Sequence, residues 1–400
     1  MALARRTIRI LETEFCIEGD SQLHDYVDAF GLAYAAQGPV SPPHSKVDVD
    51  VVCRSIAQGD HGAFAQIHSS ATHEHWNFGG ERELLSDGSV AIYIPSRHAK
   101  VTLQSDSMRL LVEASPAASP IGIGQLVFHI CRNLSLYLRD RQRGWQLHAS
   151  AVEVGGKAVL FVGDQGAGKS TLFLQSVLAG PCRPLANDRV LVLNNADLIV
   201  RSWPGYLSMC EGSILRHGAL VEASEAYESG GYPYAFLHWP TELKSVFTKG
   251  PDTKRMYPMT WFTQAANKMY IEEAPLGCIA FVHVSPEAKT SVKWLDPRNL
   301  GAARETLERN HFDLIETSFS SWHGLPLSGE PLGIGALLSA MEQGGVPVVD
   351  MTVAVRDLPL ISELVEQSHS SSRGHTSADD SALPSLFGAD HASLACKRKA

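Results

Sequence analysis

The stretch that most constrains the fold is a short apolar run that ends in a glycine-rich turn. Residues 158–162 read Ala-Val-Leu-Phe-Val, which is typical of a buried strand, and residues 163–170 read Gly-Asp-Gln-Gly-Ala-Gly-Lys-Ser. The second stretch is a complete G-x-x-x-x-G-K-[ST] pattern, the signature of a phosphate-binding loop. With a helix expected over residues 171–179, the sequence predicts a strand, a tight loop and a helix in that order.

Each fixed position of this loop has a chemical reason. Glycines allow the backbone to turn its N–H groups toward phosphate oxygens, and the helix that follows aims its positive dipole end at the same anion. Lys169 adds a positive charge for the β- and γ-phosphates, and the Ser170 hydroxyl can complete the coordination of Mg2+. We therefore expect ATP and Mg2+ to bind here. The expected contacts are Gly163, Asp164, Gln165, Gly166, Ala167, Gly168, Lys169, Ser170 and Thr171.

Composition narrows the class of protein. A hydrophobic fraction of 44% with 19% charged residues is that of an ordinary globular protein, and the net charge of -9 argues against a nucleic-acid partner. The seven cysteines are scattered and form no Cys-x-x-Cys pair, which favours reduced thiols in a cytoplasmic protein. The sequence has neither the pattern of a signal peptide nor an apolar run long enough to span a membrane, so we expect neither.

The first 120 residues predict a smaller β-rich domain. Residues 7–11, 47–54, 90–94 and 108–113 alternate in the manner of short strands, and residues 25–36 could form a helix. We expect a recognition or dimerisation domain, which allows a homo-oligomer. His68, His73, Glu74 and His75 are metal-ligand types, but their Ser-, Thr- and Asn-rich surroundings favour a solvated loop.

The segments around the phosphate loop predict an unusual order of elements. A helix is expected over residues 125–141, then a strand over 145–154, and Gly155-Gly156 joins that strand to the one entering the loop as a two-residue hairpin. A further strand is expected over 184–193, and it carries Asp188 about 20 positions after Lys169. This carboxylate could hold Mg2+ through water or accept a proton, although an Asn-Asp pair is also common in turns.

The order of His148 in Leu-His-Ala-Ser, then the phosphate loop, then Ala186-Asn187-Asp188 resembles the HPr kinase/phosphorylase family. That family includes relatives in peptide-tailoring clusters, such as lasso-peptide kinases. The resemblance is specific over residues 145–195 and diffuse from there to about 355. It implies an α/β phosphate-loop kinase domain similar to phosphoenolpyruvate carboxykinase. It also implies Asp188, His148 and Lys169 as catalytic residues, with Ser170 and Asp188 at the metal.

Two departures from the family pattern bear on the acceptor. The first acid of the family's Asp-Asp pair is Asn187 here, and residues 201–206 read Arg-Ser-Trp-Pro-Gly-Tyr in place of a glutamate-bearing motif. These departures argue against HPr as the acceptor, and we expect a peptide or small molecule with a Ser-type hydroxyl instead.

The rest of the chain is less informative. Helices are expected over 213–223, 299–309 and 331–342, and strands over 276–284 and 346–352. The aromatic loop 230–234 could line an acceptor pocket or simply pack on the surface. Lys254 could reach the phosphates or lie in a solvated turn. We predict domains at 1–120 and 121–366, and a disordered tail at 367–400.

Three functions remain open from the sequence. The favoured one is an ATP-dependent kinase, and the second is a non-catalytic or hydrolytic nucleotide switch that acts on a partner. A transporter-type ATPase is the third, since Leu-Ser-Gly-Glu at 327–330 and Val-Pro-Val-Val-Asp at 346–350 resemble its later motifs. Glu330 and Met351 depart from that pattern.

Overall fold

A computed structural model describes residues 4–10, 13–19, 49–55, 81–118, 120–136, 138, 144–195, 197–203, 207–226, 254–257, 259–296, 298–312, 325, 332–360 and 365. Their strands form two large sheets and one two-stranded ribbon, with helices between and after the strands. The expected mixed α/β fold is confirmed at that level.

The first sheet is built from the N-terminal strands. It has seven strands in the order β1-β2-β3-β7-β6-β5-β4, and β3 is parallel to both β2 and β7. The bounds are β1 (Ala4–Ile10), β2 (Thr13–Gly19), β3 (Val49–Ser55), β4 (Glu81–Leu84), β5 (Val90–Ile94), β6 (Ala99–Gln104) and β7 (Arg109–Ala114). Four of them correspond to the strands expected from the sequence.

Helix α1 (Pro120–Ser135) covers one face of this sheet. Buried and partly exposed residues alternate along β2, so that Phe15 and Ile17 point into the core, where Leu126 and Ile130 of α1 meet them. The helix starts five residues before the expected position, at a proline, a residue that suits the first helical turn because it lacks an N–H. The helix that follows the expected domain boundary at 120 thus shares the core of the first sheet, and the domain division stays a prediction.

The second sheet carries the phosphate loop. It has nine strands; seven run in the order β11-β9-β10-β16-β13-β12-β8, while β18 pairs with β16 and β17. The bounds are β8 (Gly144–Leu147), β9 (Ala149–Val154), β10 (Lys157–Val162), β11 (Arg183–Ala186), β12 (Val190–Leu193), β13 (Ile199–Ser202), β16 (Glu273–Ser285), β17 (Ser291–Leu295) and β18 (Val348–Ala354). Strands β14 (Leu207–Cys210) and β15 (Lys254–Tyr257) form the separate ribbon.

Six more α-helices and two short 3-10 helices, Pro95–Arg97 and Val355–Leu360, accompany these strands within the described residues. The bounds of the α-helices are α2 (Lys169–Ala179), α3 (Glu211–Leu215), α4 (Gly218–Ala226), α5 (Met259–Ala265), α6 (Ala302–Arg309) and α7 (Ile334–Gln343). The single helix expected over 213–223 is two helices, because the chain turns at Arg216 and His217.

Strand β10 lies in the interior of the second sheet. It is antiparallel to β9 through the predicted Gly155-Gly156 hairpin, with Val154 opposite Lys157, and it is parallel to β16 on its other side. Leu172 and Phe173 of α2 pack into the core that contains Phe161. The phosphate loop therefore leaves from a strand that is buried over residues 158–162 and enters a helix that is held against the same sheet.

Two strands that the sequence predicts as continuous are broken, and they break side by side. The expected strand 145–154 is β8 and β9 with a break at His148, and the expected strand 184–193 is β11 and β12 with a break at residues 187–189. Strand β9 pairs with β11, and β8 pairs with β12, so the two segments bend at the same corner of the sheet. Asp188 has a φ of 73°, which a strand does not allow and which Asp tolerates better than most residues. The prediction that Asp188 lies on a strand is wrong.

Several expectations fall outside the described residues. These are the helix at 25–36, the histidines at 68, 73 and 75, the aromatic loop 230–234, the motif at 327–330 and the tail 367–400. Within the described part of the chain, none of the helices has the length and apolar character needed to cross a membrane.

Candidate nucleotide-binding site

The phosphate loop lies against the end of the parallel neighbour β16. The Val284 N–H donates a hydrogen bond to the Ala167 carbonyl at 2.9 Å, which fixes the loop to that strand. Gly168 has a φ of 98°, and a Cβ there would lie 2.4 Å from Cγ2 of Val284. A Cβ at Gly163 would similarly lie 2.9 Å from the Val282 carbonyl oxygen. Gly163 is thus required by the close approach of the Val282 backbone, and Gly168 by its positive φ and the Val284 side chain.

Lys169 is folded back over the start of the loop. Its side chain is buried, and Nζ donates to the carbonyl oxygens of Gly163 at 2.6 Å and Asp164 at 3.2 Å. An ammonium group has three donors in a compact, rotatable arrangement, so the same group can turn from loop carbonyls to phosphate oxygens. This placement suits the role that the motif predicts for Lys169.

Arg309 also contacts the loop, and the sequence gives no sign of it. This last residue of α6 donates from Nη2 to Asp164 Oδ2 at 3.0 Å and from Nε to Oδ1 at 3.2 Å. The hydrogen bonds from Arg309 lower the pKa of the Asp164 carboxyl. The pair joins residues 145 positions apart in the chain, a separation at which no local pattern could predict the contact.

Asn187 connects the loop to the sheet corner. Its Oδ1 accepts hydrogen bonds from the Ser170 hydroxyl at 3.1 Å and from the Ser150 hydroxyl at 2.8 Å. The side chain is buried, and among the described residues its Nδ2 has no hydrogen-bond partner. A neutral amide oxygen therefore occupies the place next to Ser170 where the resemblance leads one to expect a carboxylate.

The side chains of Ser170, Asn187 and Asp188 offer oxygen atoms, which fit Mg2+ better than a softer metal. Among the described residues, no group of three or more His, Cys, Asp or Glu side chains is placed to hold a metal ion. Mg2+ is usually held by one or two carboxylates together with phosphate oxygens and water, and it does not need a full protein cage. The hydroxyl of Ser170, the amide oxygen of Asn187 and the carboxylate of Asp188 fit that pattern. Ser170 and Asp188, which the sequence assigns to the metal, are linked through Asn187.

Asp188 and His148 meet at the corner, as the resemblance implies. The Nε2 atom of His148 lies 3.4 Å from Asp188 Oδ1, and the His148 backbone N–H donates to the Asn310 carbonyl at 2.7 Å. Burial alone would raise the pKa of Asp188, but the hydrogen bond with His148 and the charges of Arg189 and Arg132 lower it to about 2. The carboxylate is therefore ionised at neutral pH.

Arg189 is a further charged group at this corner that the sequence analysis missed. Its Nε lies 4.0 Å from Asp188 Oδ2, and its guanidinium carbon lies 4.2 Å from the ring centroid of Phe312. Lys254, in contrast, lies on β15 in the separate ribbon. Its role stays a prediction.

Comparison with known proteins adds little to this picture. No protein family model matches the chain, and no curated protein matches it significantly. Among solved structures, the Hpr(Ser) kinase/phosphatase from Coxiella burnetii matches with 15% identity and a TM-score of 0.27. The match covers 57% of this chain and 99% of that one. A TM-score of this size does not establish a shared fold, so membership of the HPr kinase family stays a prediction.

Proposed function

We propose that this protein is an ATP-dependent kinase that transfers the γ-phosphoryl group to a Ser-type hydroxyl of a peptide or small molecule. The proposal is carried by the sheet corner at Asn187 and Asp188. Asn187 accepts a hydrogen bond from the hydroxyl of Ser170 in the loop, and Asp188 faces His148. A nucleotide-binding loop and an ionised carboxylate are thereby held side by side.

The chain offers distinct groups for the phosphates and for the metal ion. The loop N–H groups and Lys169 would bind the β- and γ-phosphates, and the oxygens of Ser170, Asn187 and Asp188 would face the metal side. Bound Mg2+ would neutralise the charge that the phosphates carry during transfer. Arg309 would hold the loop in shape through Asp164, since its two hydrogen bonds fix the carboxylate geometry.

In the transfer step, the acceptor oxygen forms a bond to the γ-phosphorus, the bond to the ADP oxygen breaks, and the hydroxyl proton passes to an oxygen of the transferred phosphoryl group and then to water. A carboxylate with a pKa of about 2 is a weak base at neutral pH. Asp188 would therefore orient the hydroxyl by accepting its hydrogen bond, while His148 would contact the transferring group. Phosphoryl transfer depends mostly on positioning and charge neutralisation, so an orienting role is sufficient.

The test is transfer of labelled phosphate from ATP to hydroxyl-bearing peptides and small molecules, with Asp188→Asn as the variant. Asn tolerates the left-handed backbone at this position, so the variant should fold. We expect the transfer rate to fall roughly 100-fold or more, and the affinity for ATP with Mg2+ to fall by less, because the loop and Lys169 are unchanged. The exposed Asp197→Asn is the matched control and should retain full activity.

One result would change only the proposed mechanism, and a second would overturn the proposal. Wild-type transfer by Asp188→Asn would remove that residue from the mechanism. A folded protein that does not bind ATP with Mg2+ would remove the nucleotide site altogether.

A nucleotide switch is the second candidate, and the neutral side chain of Asn187 favours it. With one carboxylate fewer beside Ser170, bound ATP could order the protein for a partner without being transferred. This function predicts ATP binding with no phosphorylated acceptor and a partner affinity that changes with the nucleotide.

A further inference from the structure

The side chain of Arg189 is held between two aromatic rings next to the proposed transfer site. Its guanidinium carbon lies 4.2 Å from the ring centroid of Phe312 and 5.3 Å from that of Trp203. Aromatic faces fix a guanidinium plane and leave its N–H groups at the edge available for hydrogen bonds. Among the described residues, the carboxylate of Asp188 lies close to Arg189. The distance from Arg189 Nε to Asp188 Oδ2 is 4.0 Å, which is too long for a hydrogen bond.

A second guanidinium faces the same indole ring. The guanidinium carbon of Arg132, on α1, lies 3.6 Å from the Trp203 centroid, and its side chain is buried. The Arg189 side chain is 27% exposed, so it can be reached from solvent. Two guanidinium groups of like charge on one ring would be stabilised by an anion placed at their edges.

A buried amide lies on the same face of the sheet. Gln146 pairs with Leu191 across β8 and β12, and Leu191 packs with Trp203. Since directly opposite residues of an antiparallel pair point to the same face, the Gln146 side chain lies on the face that carries Trp203. It is 2% exposed, and neither of its side-chain polar atoms has a hydrogen-bond partner among the described residues. A buried amide of this kind calls for a partner, which a bound ligand could supply.

We infer that Arg189, with Arg132 on the same indole ring and Gln146 on the same face of the sheet, binds an anionic group of the acceptor, either a carboxylate or a phosphate. This inference rests on the proposed kinase function. Oδ1 of Asp188 faces His148 and Oδ2 faces Arg189. An acceptor whose hydroxyl donates a hydrogen bond to this carboxylate therefore places the substituent next to that hydroxyl close to the Arg189 guanidinium. The planar fork of Arg suits both carboxylate and phosphate oxygens. The acceptor is then a compound whose reactive hydroxyl lies close to a negative charge.

The experiment uses acceptor pairs that differ only in this charge, titrated by calorimetry into the full-length protein with ADP and Mg2+ present. N-acetylserine against N-acetylserinamide tests the carboxylate, and glycerol 3-phosphate against glycerol tests the phosphate. We expect one anionic probe to bind about tenfold or more tightly than its neutral partner, the usual difference for a charge-assisted hydrogen bond. Arg189→Gln should abolish this preference, Arg189→Lys should keep part of it, and the exposed Arg298→Gln should leave it unchanged.

Three outcomes would overturn the inference. The first is equal affinity for charged and neutral probes, and the second is no binding of any probe to the wild type. The third is a preference for the charged probe that survives Arg189→Gln. Nucleotide affinity is measured on the same samples. If Arg189→Gln weakens ADP and leaves the acceptor preference unchanged, Arg189 serves the nucleotide instead. If ADP does not bind at all, the proposed kinase function fails separately from the anion site.

Discussion

At the scale of single residues, Asn187 determines how much negative charge the site presents to a metal ion. Asn187→Asp would keep both hydrogen bonds from Ser150 and Ser170 and would replace the unpartnered Nδ2 with a charged oxygen. Without a metal, the buried carboxylate should lower the free energy of unfolding by about 1–3 kcal/mol at neutral pH. With Mg2+ and nucleotide present the loss should be recovered, because the cation pairs with the new charge.

Thermal unfolding with and without Mg2+ measures this effect independently of any enzyme activity. The matched control is Asn194→Asp, which makes the same chemical change at an exposed position and should respond little to Mg2+. If Asn187→Asp is equally stable with and without Mg2+ and nucleotide, Asn187 does not face the metal side of the site.

At the scale of elements, the phosphate loop is held against β16, and two glycine substitutions separate the effect of backbone strain from that of the contact with Val284. Gly168→Ala combines a positive φ with a Cβ only 2.4 Å from Val284, whereas Gly166→Ala has a φ of 84° and no atom within 4 Å of the new Cβ. We expect Gly166→Ala to cost about 1–2 kcal/mol, from the backbone alone. Gly168→Ala should cost a further ~1–3 kcal/mol, because the loop must move from the strand. Denaturant unfolding of both variants measures the difference, and equal losses would mean that the contact with Val284 is not needed.

The same loop and its neighbours show which elements the sequence could predict. The strand, loop and helix over residues 158–179 and the Gly155-Gly156 hairpin follow from local patterns, and all of them are found. The break at His148 and the turn at Asp188 could not be predicted in this way, since the residues on both sides have strand character. Each break arises because the two halves of the chain pair with different neighbours. Contacts such as Arg309 with Asp164 depend on the fold as a whole and leave no local signal.

At the scale of the whole molecule, Trp203 connects the two sheets. It lies directly after β13 of the second sheet, and its Nε1 donates to the carbonyl of Arg132 at 3.4 Å. Arg132 lies in the last turn of α1, which packs on the first sheet, and Leu136 directly after this helix shares a cluster with Trp203. Trp203→Ala should therefore lower the free energy of unfolding by about 3–5 kcal/mol and let the two sheets unfold at separate temperatures.

The control Trp294→Ala, on a side chain that is 41% exposed, should cost less than about 1 kcal/mol. Scanning calorimetry distinguishes the cases. If Trp203→Ala still unfolds in one transition that is only shifted to lower temperature, the sheets are coupled by other contacts and Trp203 contributes packing alone.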